Sequence, residues 1–299
     1  MHFFKFVRPK DERLKNIRVA AKVTIPHREL GWIKDPYDKR DYEYSLEVHP
    51  SIEGLSDAVT GTIDNRRKFK PISNQLSFPS CVANSVADYT EAAIAMRKKK
   101  SIQSIPDLSR MFVWWNARHE MEPDKSKDDK SGTYNRLALD VAARFGIPAE
   151  AVWPYDDARV GRYIKSNVRA RRSVSRPNLS SYRDAVKYKI HEFNPILVSG
   201  DKRLSLIVKA LQKYPGVVAG FHLGSNFFDY KGEGASGVIR APHDHKGNHS
   251  MIIVGYDSEK AAFIVRNHWG TGWGDDGYCY IHEGYIANSK LVRSLWVAK

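Results

Sequence analysis

The stretch Gln75-Leu76-Ser77-Phe78-Pro79-Ser80-Cys81-Val82-Ala83-Asn84-Ser85-Val86-Ala87-Asp88-Tyr89 places a side-chain amide six positions before a thiol that opens a helical run. Pro79 blocks an earlier helix start, and Ser80 is the expected N-cap. Beyond Cys81, Val82, Val86, Tyr89, Ala93 and Met96 recur at helical spacing as one apolar face, and Arg97 to Lys100 supply cations at its C-terminal end. A thiol becomes a useful nucleophile only as thiolate, and free cysteine titrates near about 8.5. The first turn of a helix, with unpaired N–H groups and the positive end of the macrodipole, favours that anion.

Two further groups complete a thiol-nucleophile set. His249 stands in Asn248-His249-Ser250-Met251-Ile252-Ile253-Val254-Gly255-Tyr256. Asn267 stands in Arg266-Asn267-His268-Trp269-Gly270-Thr271-Gly272-Trp273-Gly274. A single cysteine on an apolar helix is ordinarily core, and a single histidine before Met-Ile-Ile-Val ordinarily ends a strand. The joint order Gln, Cys, His, Asn points instead to catalysis. His249 is expected to take the thiol proton, and Asn267 to orient the imidazole. The Gln75 amide and the Cys81 N–H are expected to donate to the oxyanion of a tetrahedral intermediate. In an extended chain Asn267 and Trp269 point the same way, so the indole can shield the Asn–His contact, and His268 points away as a non-catalytic residue.

The block from Asn267 to Gly274, followed by Gly277-Tyr278, resembles the asparagine-bearing segment of papain-like cysteine peptidases. The resemblance is strongest to a bacterial and viral branch of that family and spans roughly residues 31 to 285. Gly31-Trp32-Ile33-Lys34-Asp35-Pro36-Tyr37-Asp38-Lys39-Arg40-Asp41-Tyr42 is similar to that branch's opening motif. Ser131-Gly132-Thr133-Tyr134-Asn135, Phe145-Gly146-Ile147-Pro148 and Trp153-Pro154-Tyr155-Asp156 match its middle. The family commonly has Gly-Ser-Cys-Trp where this chain has Pro79-Ser80-Cys81-Val82, and Ser where it has His268. The resemblance implies an α+β fold of two lobes with the cleft between them. It also implies a polypeptide substrate held along Gly132, Asn248 and Trp269, Gly132 pairing with its backbone and Asn248 facing the specificity pocket. The rival expectation is a structural or interaction component of a larger, viral assembly that keeps the fold with little turnover.

Three segments are expected: a basic N-terminal extension (1–55), a helical lobe bearing Cys81 (56–158) and a β-rich lobe bearing His249 and Asn267 (159–299). Helices are expected at Cys81, around Ser109 to His119, near Asn135 to Phe145 and near Arg203 to Lys213, with a charged loop from Glu120 to Lys130. Strands are expected at Val217–His222, Met251–Tyr256, Ala262–Arg266 and Tyr278–His282. Two fates are open to the extension: an inhibitory strap in the cleft, or a structural strap packing Trp32 and Tyr42 outside the lobes. The size of Trp32 and the continuity of the chain favour the second.

With 299 residues, 42% of them hydrophobic, a substantial core is affordable. Only two cysteines occur, so Cys279 is expected in the core and no disulfide is expected, which suits a reducing compartment. The N-terminus has too short an apolar stretch for a signal peptide, and no run approaches a membrane span. A cytoplasmic or particle-packaged protein is therefore expected rather than a conventionally secreted one. Net charge is +14. Residues 1–28 hold eight Lys and Arg against Asp11 and Glu12, and residues 159–176 hold seven with no acid. Such clusters suit nucleic acid or another acidic partner, although a solvated face is the commoner outcome. No cofactor is expected. Gly232-Glu233-Gly234-Ala235-Ser236-Gly237 lacks the following helix of a dinucleotide loop. His243, His245 and His249 with Asp244 read as a polar rim rather than a metal site, because metal on His249 would compete with its role as base.

Overall fold

The computed structural model describes residues 30–43, 61–119, 132–155 and 176–299. The basic clusters of 1–28 and 159–175, the loop 120–131 and the rest of the extension lie outside the described residues.

The lobe that carries Cys81 is built on three helices: α2 (Cys81–Arg97), α3 (Arg110–His119) and α4 (Asn135–Arg144), preceded by the one-turn α1 (Arg40–Glu43). The expected boundaries hold to within a residue or so. α2 is buried on every side from Cys81 to Ala95, so it is a central helix rather than an amphipathic one. Ser80 sits at its N-cap position but makes no capping bond. Its hydroxyl instead meets the Tyr155 hydroxyl at 2.8 Å.

The remainder is an antiparallel sheet ordered β2 (Phe193–Ile196), β7 (Val292–Ala298), β3 (Val217–Leu223), β4 (Gly247–Asp257), β5 (Ala262–Arg266), β6 (Tyr278–His282). β1 (Thr62–Asp64) pairs with the far end of β4, Thr62 opposite Asp257. The sheet thus recruits β1 from the segment expected to form the mainly helical lobe. The period-2 alternation of β3 and β4 sorts their side chains into two cores. Val218, Ile252 and Val254 pack towards α2 and α3. Val217, Ala219, Phe221, Met251 and Ile253 pack on the other face, with the helix Gly200–Lys213 and the Trp269–Trp273 block.

The interface between the lobes holds a buried ion pair. Arg266, the last residue of β5, donates from Nε and Nη2 to Asp88 Oδ2 on α2, at 3.1 and 2.8 Å. Its other N–H groups go to the Lys70 and Pro71 carbonyls and the Tyr278 hydroxyl, each at 3.0 Å. This guanidinium fixes the strand that ends one residue before Asn267 against the helix that begins at Cys81.

Candidate active site

Cys81 takes the first helical position of α2 and is fully buried. His249 lies in β4, opposite Phe221 of β3, and Asn267 follows the end of β5. Asn267 Oδ1 stands 2.9 Å from His249 Nε2. An amide oxygen only accepts, so that nitrogen carries the ring proton, and the lone pair on Nδ1 is left as the base. The N–H of Ser250, the residue after His249, reaches the Cys81 thiol. The structure thus brings His249 and Asn267 into direct contact and sets the backbone of the next residue, Ser250, beside Cys81. Trp269 packs 5.0 Å from the His249 ring, centroid to centroid, and with Phe227 and Trp273 walls the His–Asn contact from water.

Gln75 is fully buried in the turn before α2. Its amide donates to the Phe78 carbonyl at 2.8 Å, its N–H donates to the His268 carbonyl at 2.9 Å, and its own carbonyl accepts from the Tyr155 hydroxyl at 2.7 Å. Gln75 is thus held between both lobes beside the thiol.

The cleft is occupied by the chain's own extension. The Gly31 N–H donates to Cys81 Sγ at 3.3 Å. Residues 31–33 pair in parallel with the strand edge at Gly132–Thr133: Thr133 N–H donates to the Gly31 carbonyl at 2.9 Å, and Ile33 N–H to the Thr133 carbonyl at 3.0 Å. The approach is so close that a Cβ on Gly132 would lie 2.3 Å from the Gly31 oxygen. Trp32 is buried against Gly220 of β3, where an added Cβ would fall 1.9 Å from its ring, and it meets His222 edge-on at 6.0 Å. Leu30 fills the space over Gly247. Beyond the cleft, Asp35 accepts from Trp296 Nε1 at 2.6 Å and from the Arg136 N–H at 3.2 Å, while the Arg136 guanidinium binds Asp38 and Asp41.

This corrects the expectation of a strap outside the lobes: Trp32 lies in the cleft. The Tyr42 side chain lies outside the described residues. The docked extension also affects the thiol. Burial pushes the Cys81 thiol up to about 11, and the N–H groups of Ser250, Gly31 and Val82 only partly offset that. The helix start does supply donors, but desolvation under the extension outweighs them. Burial holds Cys279 well above its ordinary range too, and both cysteines are free thiols.

At the rim, Asn248 Oδ1 stands 3.0 Å from His245 Nε2, so Asn248 is engaged with the rim histidine. Asp244 accepts from the Ser225 N–H and hydroxyl. With His249 committed to Asn267, these groups do not converge. Among the described residues no cluster of three His, Cys, Asp or Glu side chains is placed to hold a metal. Sequence reasoning missed Gly31, Trp32, Gly220 and the Ser250 N–H. The signal for the first two was present, in the glycine beside a tryptophan that opens the 31–42 motif.

The family model for "Papain family cysteine protease" matches residues 59–296. An uncharacterised peptidase C1-like protein of Acanthamoeba polyphaga mimivirus is 26% identical over 289 residues, covering 90% of this chain and 86% of that protein. Papain of Carica papaya is 26% identical over 242 residues, 79% of this chain and 58% of that sequence. Among solved structures, xylellain, a cysteine protease from Xylella fastidiosa, superposes with a TM-score of 0.71 at 26% identity, covering 91% of this chain and 96% of that one. With the family model spanning both lobes and all four site residues, the chain belongs to the papain family of cysteine proteases.

Proposed function

We propose that this papain-family cysteine peptidase cleaves peptide bonds through Cys81, with His249 as base and then acid, and that residues 30–33 hold it latent in the folded chain. The observation that carries the reading is the 2.9 Å His249–Asn267 contact, with the neighbouring Ser250 N–H on the Cys81 thiol. In an open cleft the thiol proton passes to His249 Nδ1, and the thiolate adds to the scissile carbonyl carbon. The C–N bond breaks as the imidazolium returns that proton to the leaving amine. Water, deprotonated by the same imidazole, then displaces the acyl group and regenerates the thiol. Asn267 keeps the ring in the required tautomer, and the Cys81 N–H with the Gln75 amide meets the oxyanion.

The extension blocks this chemistry without being a substrate. What it presents to the sulfur is the Gly31 N–H, a donor, where attack needs a carbonyl carbon. Its parallel pairing with Thr133 and the burial of Trp32 on Gly220 occupy the backbone rail and the side-chain pocket that a polypeptide would use. Gly132 and the Gly220 pocket are therefore the substrate contacts. Asn248 shapes the rim, and Trp269 acts behind the imidazole rather than on substrate.

Among the described residues no helix is long and apolar enough to cross a membrane. A cytoplasmic or particle-packaged location rests on one observation, a relative encoded by a virus. A polyanion contact through residues 1–28 and 159–176 rests on charge alone. The test is peptide-pool cleavage by the chain opened with Gly31→Val: adding Cys81→Ala should abolish turnover and leave thermal unfolding within about 1 kcal/mol of the Gly31→Val parent. Turnover that survives Cys81→Ala overturns the assignment.

A further inference from the structure

β5 stops at Arg266, opposite Ile252 of β4. Continued in register, the next residue to face Ser250 is His268. The backbone there has left the ladder: the His268 N–H donates to Asn267 Oδ1 at 2.8 Å, and its carbonyl accepts from the Gln75 N–H at 2.9 Å. Ser250 would lose its strand partner on that side. Its N–H goes to the Cys81 thiol, and its carbonyl lies 2.7 Å from His268 Nε2. A carbonyl only accepts, so His268 Nε2 carries a proton and donates. A side chain has replaced the missing ladder hydrogen bond at the residue beside the catalytic histidine.

We propose that His268 is a positioning residue, whose side-chain hydrogen bond to the Ser250 carbonyl holds the Ser250 N–H on the Cys81 sulfur and the His249 ring on Asn267. The proposal rests on the catalytic reading above. Ser250 is gripped from the other side by its hydroxyl, which donates to Asn135 Oδ1 at 2.8 Å. His268 itself is buried, with its ring edge-on to His249 at 4.7 Å. The titratable group that faces it is His249 on β4, with Arg266, two residues back on β5, paired to Asp88 on α2.

The test compares His268→Gln, whose amide reaches the Nε2 position and donates, with His268→Leu and His268→Asn, which do not. Neither glutamine, asparagine nor leucine titrates, so differences among them report the hydrogen bond and not a lost charge. The readouts are kcat/KM on a peptide pool against pH and, independently of turnover, the pH dependence of Cys81 alkylation by iodoacetamide. Both are measured on the full chain, with and without Gly31→Val. Loss of the Ser250 N–H from the sulfur raises the thiol pKa, so His268→Leu and His268→Asn should move the acid limb upward by about one pH unit. They should also lower kcat about tenfold, the worth of one buried hydrogen bond, with KM little changed. His268→Gln should restore both. If His268→Leu fails to fold, as judged by thermal unfolding, the Gln–Asn comparison decides. Alkylation and rate profiles that are the same for Gln and Asn, or an unmoved acid limb in folded His268→Leu, would overturn the proposal. Failure of the catalytic reading would show differently, as an alkylation shift with no peptide turnover in any variant.

Discussion

Gly31→Val is the sharpest perturbation of the occupied cleft. A Cβ at Gly31 would lie 2.2 Å from the Pro79 carbonyl oxygen, 2.7 Å from its carbon and 3.1 Å from its Cα. All three are backbone atoms, held between the fully buried Phe78 and the start of α2. The extension must therefore yield, taking with it the Gly31 donor and the two hydrogen bonds to Thr133. With the cleft closed the thiol titrates at about 11, against an ordinary value of 9.0. At pH 7 those values correspond to thiolate fractions of about 1 in 10,000 and about 1 in 100. Relief of burial alone should thus speed iodoacetamide labelling of Cys81 by about 100-fold, and imidazole assistance should add to that. Cys279, buried in the other core, is an internal control and should stay unreactive. Peptide turnover should rise in parallel. A folded Gly31→Val protein that labels Cys81 within about threefold of the parent rate would refute the argument that residues 30–33 control the nucleophile.

Three other outcomes follow from the same contacts. Gly220→Val puts a Cβ 1.9 Å from the Trp32 ring and should expel it; labelling of Cys81 should accelerate, while cleavage after opening should favour peptides with small over large aromatic side chains in that pocket. Asp35 is buried in the docked extension, and burial raises its pKa to about 6 from 3.8. The docked state therefore holds the proton more tightly: docking is strongest below about 4 and weakens as pH rises through about 6, by on the order of 3 kcal/mol in the limit. Protection of Cys81, corrected for thiolate fraction, should fall between about pH 4 and 6 in the parent, level off above that, and stay flat in Asp35→Asn. Asp88→Asn leaves the buried Arg266 without its counter-ion and should cost about 3 kcal/mol in denaturant unfolding, with turnover lowered because β5 and α2 lose their tie.

Most of the site was legible because its parts are local in sequence or bear chemistry that few other arrangements use. The helix of Cys81 followed from Pro79 and the apolar spacing, and β4, β5 and β6 from short apolar runs. β1, β2 and β7 were missed for identifiable reasons. Thr62–Asp64 is only three residues with an acid at its end, Phe193–Ile196 contains Pro195, and Val292–Ala298 carries Arg293 and Ser294 among its apolar residues. Each becomes a strand because a partner already exists, which is tertiary information. Ser80 has a good capping side chain, but the Tyr155 hydroxyl, 75 residues away, claims it. Trp32 was misplaced because bulk predicts burial but not where. The pocket that accepts it is an absence, the missing side chain of Gly220.

Latency and readiness use the same framework. The His249–Asn267 contact is already at 2.9 Å beneath the extension, and the Ser250 N–H already points at the sulfur. On the proposed mechanism none of these groups has to move when residues 30–33 leave. What changes is the medium around the thiol and the loss of one donor, the Gly31 N–H, which taken alone would favour the anion. The extension therefore silences the nucleophile by excluding water and substrate, in spite of the hydrogen bond it donates. The fixed part of the site is secured elsewhere, by Arg266 on Asp88 and by Gln75 on the His268 carbonyl. The moving part is held from outside the cleft, where Asp35 meets Trp296 and Arg136 gathers Asp38 and Asp41. On the proposed reading, activation is release of this short segment from its charged anchor, with the catalytic geometry unchanged.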